Sequence, residues 1–102
     1  MELEKQIISE AKFKLLVSGR WDMMGNRIFE IEFPKYLSEN TQSIILDLSQ
    51  IEFIASIGIR SIVSHAKELN QKNIKFALSN PTEMVNDIFK NVGIDDFIEF
   101  VD

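Results

Sequence analysis

The rhythm of hydrophobic and polar positions changes several times along the chain, and each change marks an element. Leu3 to Ser9 and Lys12 to Ser18 read as strands, the second placing Phe13, Leu15 and Val17 on one face. Glu10 and Ala11 turn between them, which predicts a hairpin. Ser43 to Leu48 holds four apolar residues in six without strict alternation, the pattern of a central strand covered on both faces. From Ser56 the period becomes helical. Ile59, Ile62, Val63, Ala66 and Leu69 gather on one side, while Arg60, Ser61, Ser64, Lys67 and Glu68 occupy the other, and Asn70 to Asn73 ends the helix.

Ile74 to Leu78 alternates as a strand. Asn80-Pro81-Thr82-Glu83 then offers a cap, a proline at the first helical position and an acid at the third. Met84, Val85, Ile88, Phe89 and Val92 form the apolar stripe of that helix, Gly93 fits its end, and Phe97 to Val101 closes the chain as a strand. Residues 24–39 read two ways. Ile28, Phe29, Phe33, Tyr36 and Leu37 can share a helix face, yet Phe29, Ile31 and Phe33 also alternate, and Pro34 kinks or restarts any helix there. The order β-β-α-β-α-β-α-β predicts an α/β fold: a mixed sheet of about five strands with right-handed parallel crossovers and helices mainly on one face.

Composition narrows the function. At 102 residues, 45% hydrophobic with eight Phe, residues 1–102 suit one domain with a real core. The absence of Cys removes disulfides and thiolate metal sites and agrees with a cytoplasmic location. Charges fill the first twelve residues where a signal peptide needs an apolar stretch, and no apolar run reaches the length of a membrane span, so no membrane insertion is expected. A net charge of -5 with scattered Lys and Arg lacks the basic footprint of a nucleic-acid binder. A protein partner suits it better.

Catalytic constellations are scarce. His65 is the only histidine, the four glycines are too far apart to cradle a phosphate, and Glu30 with Glu32 and Asp95 with Asp96 have the spacing of solvated acids. No metal or cofactor is implied. Trp21 and Asp22 end a strand in a turn, where the tryptophan reads as core. Phe53-Ile54-Ala55-Ser56-Ile57-Gly58 is the stretch that raises a chemical question. Ser56 is the expected N-cap of the helix it opens, and a helical projection puts Ile57 away from the apolar stripe, alongside Ser61 and Ser64. Free N–H groups and the positive end of the helix dipole would accommodate a phosphate on Ser56. That modification would plant about two negative charges on the presented surface and repel an apolar or acidic partner.

Taken in order, Gly19-Arg20-Trp21-Asp22, Ile45-Leu46-Asp47-Leu48-Ser49, Phe53-Ile54-Ala55-Ser56-Ile57-Gly58-Ile59-Arg60 and the ending Val85, Ile88-Phe89, Val92-Gly93-Ile94, Phe97-Ile98 resemble the STAS domain family, the fold of bacterial anti-sigma factor antagonists. The resemblance spans nearly the whole chain. It implies a non-enzymatic switch whose partner is both an anti-sigma factor and a Ser/Thr kinase. Such a partner phosphorylates a serine at the position of Ser56; the unmodified antagonist binds it, the phosphorylated form lets go, and a separate phosphatase acting on phosphoserine restores binding. Asp22 matches an acid at the partner-facing end of the sheet, and the surface so implied comprises Asp22, Ser56, Ile57, Arg60, Ser61 and Ser64. The family commonly carries Asp-Ser-Ser-Gly or Asp-Ser-Thr-Gly, whereas here Ala55 replaces the acid and Ile57 the second hydroxyl. The alternative is a constitutive STAS subunit of a lipid-transport or transporter assembly, with Ser56 only a cap.

Overall fold

Phe13, Leu15 and Val17 are at most 3% exposed, whereas Lys14, Leu16 and Ser18, which alternate with them, are only partly covered. That contrast sets the architecture, because successive side chains of a strand point to opposite faces and one face here is sealed. The computed structural model describes residues 1–101. Strand β1 (Glu2–Ser9) and strand β2 (Lys12–Trp21) form the antiparallel hairpin, and helix α1 (Met23–Glu32) leads through a 3-10 turn (Phe33–Tyr36) to strand β3 (Ser43–Ile54). Helix α2 (Ser56–Gln71), strand β4 (Lys75–Ser79), helix α3 (Glu83–Val92), a 3-10 turn (Ile94–Asp96) and strand β5 (Glu99–Val101) follow. The sheet order is β1-β2-β3-β4-β5, with every pair after the hairpin parallel.

This order explains why one face is sealed. Right-handed crossovers between neighbouring parallel strands, all advancing in one direction, put each helix on the same side. Ile44, Leu46, Leu48 and Leu78 meet Phe13 and Leu15 on that side, under Phe29, Ile62, Leu69, Val85 and Phe89 of the helices. The expectation that Ser43 to Leu48 is covered on both faces is therefore not met. Ile45 lies on the open face, partly exposed.

Residues 24–39 resolve into a helix followed by a tight turn. Asp22 caps α1 by accepting the Gly25 amide at 2.9 Å, and Pro34 enters the 3-10 turn, where its missing N–H costs nothing. Phe29 and Phe33, four apart, both point inward and stack at 4.9 Å. Helix α3 begins at Glu83 with Thr82 as its cap, two residues later than the Asn80-Pro81 signal suggests. Tertiary bonds decide this: the Thr82 hydroxyl accepts the Val85 amide at 3.4 Å and donates to the Ile51 carbonyl at 3.3 Å, while Asn80 turns back at φ 51° to reach Asp47. Gly93 ends α3 in the left-handed region at φ 70°, as expected, and the last strand is shorter than its apolar run because Ile94–Asp96 coils first.

Asp47 ties β3 to its neighbours from the open face. Burial raises its carboxyl pKa, but four contacts outweigh that and hold it below the usual carboxylate range: the Ser49 hydroxyl and amide, the Asn80 amide, and Lys14 Nζ at 3.8 Å. A carboxyl whose pKa is depressed by folding contributes stability above its unfolded pKa, near 4, and loses that contribution as pH falls through the folded value. We expect urea unfolding to show stability declining as acid is added below about pH 4, and Asp47→Asn to flatten that decline. Asp47→Ala should cost about 1–3 kcal/mol at neutral pH, because Asn80 and Ser49 lose their acceptor.

Candidate functional site

The serine at the head of α2 is positioned from below by Trp21. The backbone of β2 ends with the Trp21 carbonyl accepting the Ala55 amide at 2.9 Å, which pins the end of β3 beside the end of β2. The indole is fully buried; its Nε1 donates to Asn26 Oδ1 at 3.0 Å and its ring lies 4.5 Å from Phe29. Over this ring passes the first turn of α2. A Cβ on Gly58 would stand 2.6 Å from Trp21 Cδ1 and 2.9 Å from Ile54 Cγ1, so only glycine lets the helix sit this low.

Pinning Ala55 also shifts the cap. Ala55 is extended at φ −87° and ψ 167°, and its carbonyl accepts the amides of Gly58 and Ile59, so Ala55 and not Ser56 is the N-cap. Ser56 is the first helical residue, exposed, and this end of α2 has no side-chain cap bond. The hydroxyl expected to close the helix is thus left facing outward. The missing acceptor belongs to position 55, where the related pattern has an acid and this chain has a methyl group.

Asp22 stands at the head of α1, one residue past Trp21. One carboxylate oxygen serves as the cap of that helix, and the other lies 4.0 Å from Arg20 Nε, with the Arg20 guanidinium set over the Phe53 ring at 4.7 Å. Arg60 and Ser64 are exposed and Ile57 is half-buried. Ser61 differs from expectation. It is 8% exposed and donates its hydroxyl to the Glu30 carboxylate, which also stands 2.9 Å from His65 Nε2. Helix α2 packs against α1 as well as the sheet, so the flank carrying Ser61 faces the seam between the two helices. A projection that assumes one buried stripe cannot reveal this. Glu30 keeps the solvent contact that its spacing suggested, its side chain 45% exposed, and also bridges Ser61 and His65, while Glu32 pairs with Lys35.

Met23 and Met24, 73% and 64% exposed, add an apolar patch next to Asp22 that sequence reading missed. The signal was available: once Asp22 is taken as a cap, the next two residues fall in the first helical turn, outside the core. Among the described residues no cluster of His, Cys, Asp or Glu could hold a metal, and no helix is long and apolar enough to cross a membrane.

The geometry agrees with comparisons to known proteins. The family model described as STAS domain matches residues 4–102. The structure is similar to an anti-sigma factor antagonist from Mycobacterium paratuberculosis, with TM-score 0.84 and 17% identity over 97% of this chain and 83% of that one. It is similar to the anti-sigma factor antagonist SpoIIAA in its unphosphorylated form, with TM-score 0.79 and 15% identity over 99% and 89%. The Bacillus cell fate determinant SpoIIAA in its phosphorylated form gives TM-score 0.73 and 14% identity over 99% and 92%. No curated protein sequence matches.

Two substitutions test how the site is built. Gly58→Ala should lower unfolding free energy by about 1–3 kcal/mol through overpacking against Trp21, read from the emission of this single tryptophan during denaturation. Ala55→Asp should raise it by about 1 kcal/mol by supplying the absent cap, an increase that vanishes if position 55 does not cap the helix.

Proposed function

The chain belongs to the STAS domain family, and from that premise we propose that it is a phosphorylation-controlled antagonist of an anti-sigma factor that is also a Ser/Thr kinase. The observation that carries this reading is the exposed Ser56 at the first position of α2, at an end with no side-chain cap bond. A kinase can reach such an oxygen without unfolding the protein, and the helix end tolerates the phosphate formed there. The partner supplies ATP and the catalytic groups; this chain supplies the acceptor and the surface.

That surface consists of Asp22, Ser56, Ile57, Arg60 and Ser64 with the neighbouring Met23 and Met24, and leaves out the buried Ser61. In the unmodified state the methionines and Ile57 offer adaptable apolar contact. Phosphate at Ser56 adds about two negative charges in their midst, which desolvation and like charge turn against the complex. A phosphatase in the same cytoplasm resets it. The replacement of the family's usual acid by Ala55 and of its second hydroxyl by Ile57 favours a second reading, a constitutive subunit of a lipid-transport or transporter assembly in which Ser56 is never modified.

The two readings separate in one experiment. Protein isolated from its own cells is digested, the peptide containing Ser56 is inspected for phosphate by mass spectrometry, and Ser56→Asp and Ser56→Ala are compared for binding to the recovered partner. The switch predicts phosphate on Ser56 and an affinity about ten-fold or more lower for Ser56→Asp, with Ser56→Ala unimpaired. Unmodified peptide together with equal binding by both variants sinks it in favour of the constitutive subunit.

A further inference from the structure

Ion pairs in the helical segments follow the spacing that brings side chains together, Lys72 with Glu68 four residues before it and Lys35 with Glu32 three before it. Arg60 departs from that pattern. The positions three and four away from it on either side hold Ser56, Ile57, Val63 and Ser64, and none is an acid. Its guanidinium is exposed and makes no ion pair or cation-π contact among the described residues. The charges at the head of α1 are already engaged: Asp22 accepts the Gly25 amide and pairs with Arg20, which also covers the Phe53 ring. The start of α2 thus carries an exposed hydroxyl and, one turn further on, a cation without an anion.

We propose that Arg60 is the internal counter-ion of a phosphate on Ser56, an inference that rests on the phosphorylation-controlled reading above. The kinase's ATP gives its terminal phosphoryl group to Ser56 Oγ: a P–O bond forms there as the bond to the departing ADP breaks, and the hydroxyl proton is lost. The phosphate then stands one turn before the guanidinium. This is the favourable order for a pair four residues apart, because the anion lies toward the positive end of the helix dipole. The planar fork of arginine suits two phosphate oxygens at once. A phosphate on the equally exposed Ser64 would have the wrong order, C-terminal to the cation and away from the helix start. The switch therefore has two halves. Unmodified, the docking surface offers a free cation together with the methionines and Ile57; modified, it loses that cation to its own phosphate and keeps the surplus negative charge. An acidic group of the partner that pairs with Arg60 in the complex is thereby left without its counter-charge and meets like charge instead.

The test uses the full chain with phosphoserine installed at position 56 during translation, and follows its phosphorus NMR signal through a pH titration at low salt. The second pKa of the phosphate, about 6 when unperturbed, should be about half a unit higher in Arg60→Gln than in the wild type, and Arg60→Lys should recover part of the difference. Lys67→Gln removes an exposed cation about three turns from Ser56 and should leave the titration unchanged. In the wild type the Arg60 Nε–H resonance should shift on phosphorylation and move back at high salt. Circular dichroism confirms that all variants remain folded. Identical titrations in the wild type and Arg60→Gln overturn the proposal. So does an equal rise in Lys67→Gln, which would reduce the effect to net charge. Because the phosphate is installed during translation, the result for Arg60 is independent of whether the native Ser56 peptide carries one; an unmodified native peptide counts against the switch itself, and flat titrations count against the ion pair.

Discussion

The contact on which the structure turns is the indole of Trp21 beneath Gly58. It joins the ends of two parallel strands and the heads of two helices in one buried point: the Trp21 carbonyl holds Ala55, its Nε1 holds Asn26 of α1, and its ring face supports the first turn of α2. A tryptophan buries a large apolar area while its one polar atom still requires a partner, so it both glues and orients. Because α2 sits directly on the ring, its first turn has little freedom to shift, and the position of Ser56 follows from packing several residues away.

From that point the site inherits its properties. The main chain is pinned at Ala55, so the N-cap falls there and the serine hydroxyl after it faces solvent. Asp22, next to Trp21, caps α1 and leaves the methionines beyond it uncovered. Charge and apolar surface thus meet at the end of the sheet, while the half-exposed carboxylate of Glu30 binds Ser61 and His65 and so holds α1 to α2. The same one-sidedness that creates this seam, with all helices on one face, leaves Leu16 and Ile45 partly exposed on the opposite face of the sheet.

Much of this was legible in the chain itself. Alternation at Phe13, Leu15 and Val17 and the helical periods from Ile59 to Leu69 and Met84 to Val92 match the element order, although of the last stripe only Val85 and Phe89 are buried while Met84 and Val92, at its ends, stay 58% and 55% exposed. Residues 24–39 were ambiguous because Phe29, Ile31 and Phe33 satisfy both periods, and only packing against Trp21 and His65 chose the helix. Capping propensity favoured Ser56 and Asn80, and at both places a long-range bond overruled it: Trp21 to Ala55 in one case, Thr82 to Ile51 in the other. Differences in capping preference of about 1 kcal/mol cannot withstand the registration of a strand end.

The amino-acid pattern by itself determined the strand and helix succession, the handed crossovers and the core tryptophan, because these depend on local period and on which residues avoid water. Tertiary structure alone decided which side of α2 faces α1, hence that Ser61 is inside and Ser64 outside, and which residue begins the helix. Those outcomes depend on partners more than thirty residues away, such as Trp21 for Ala55 and Glu30 for Ser61, and no periodicity within a single segment encodes a neighbour that chain topology brings to it.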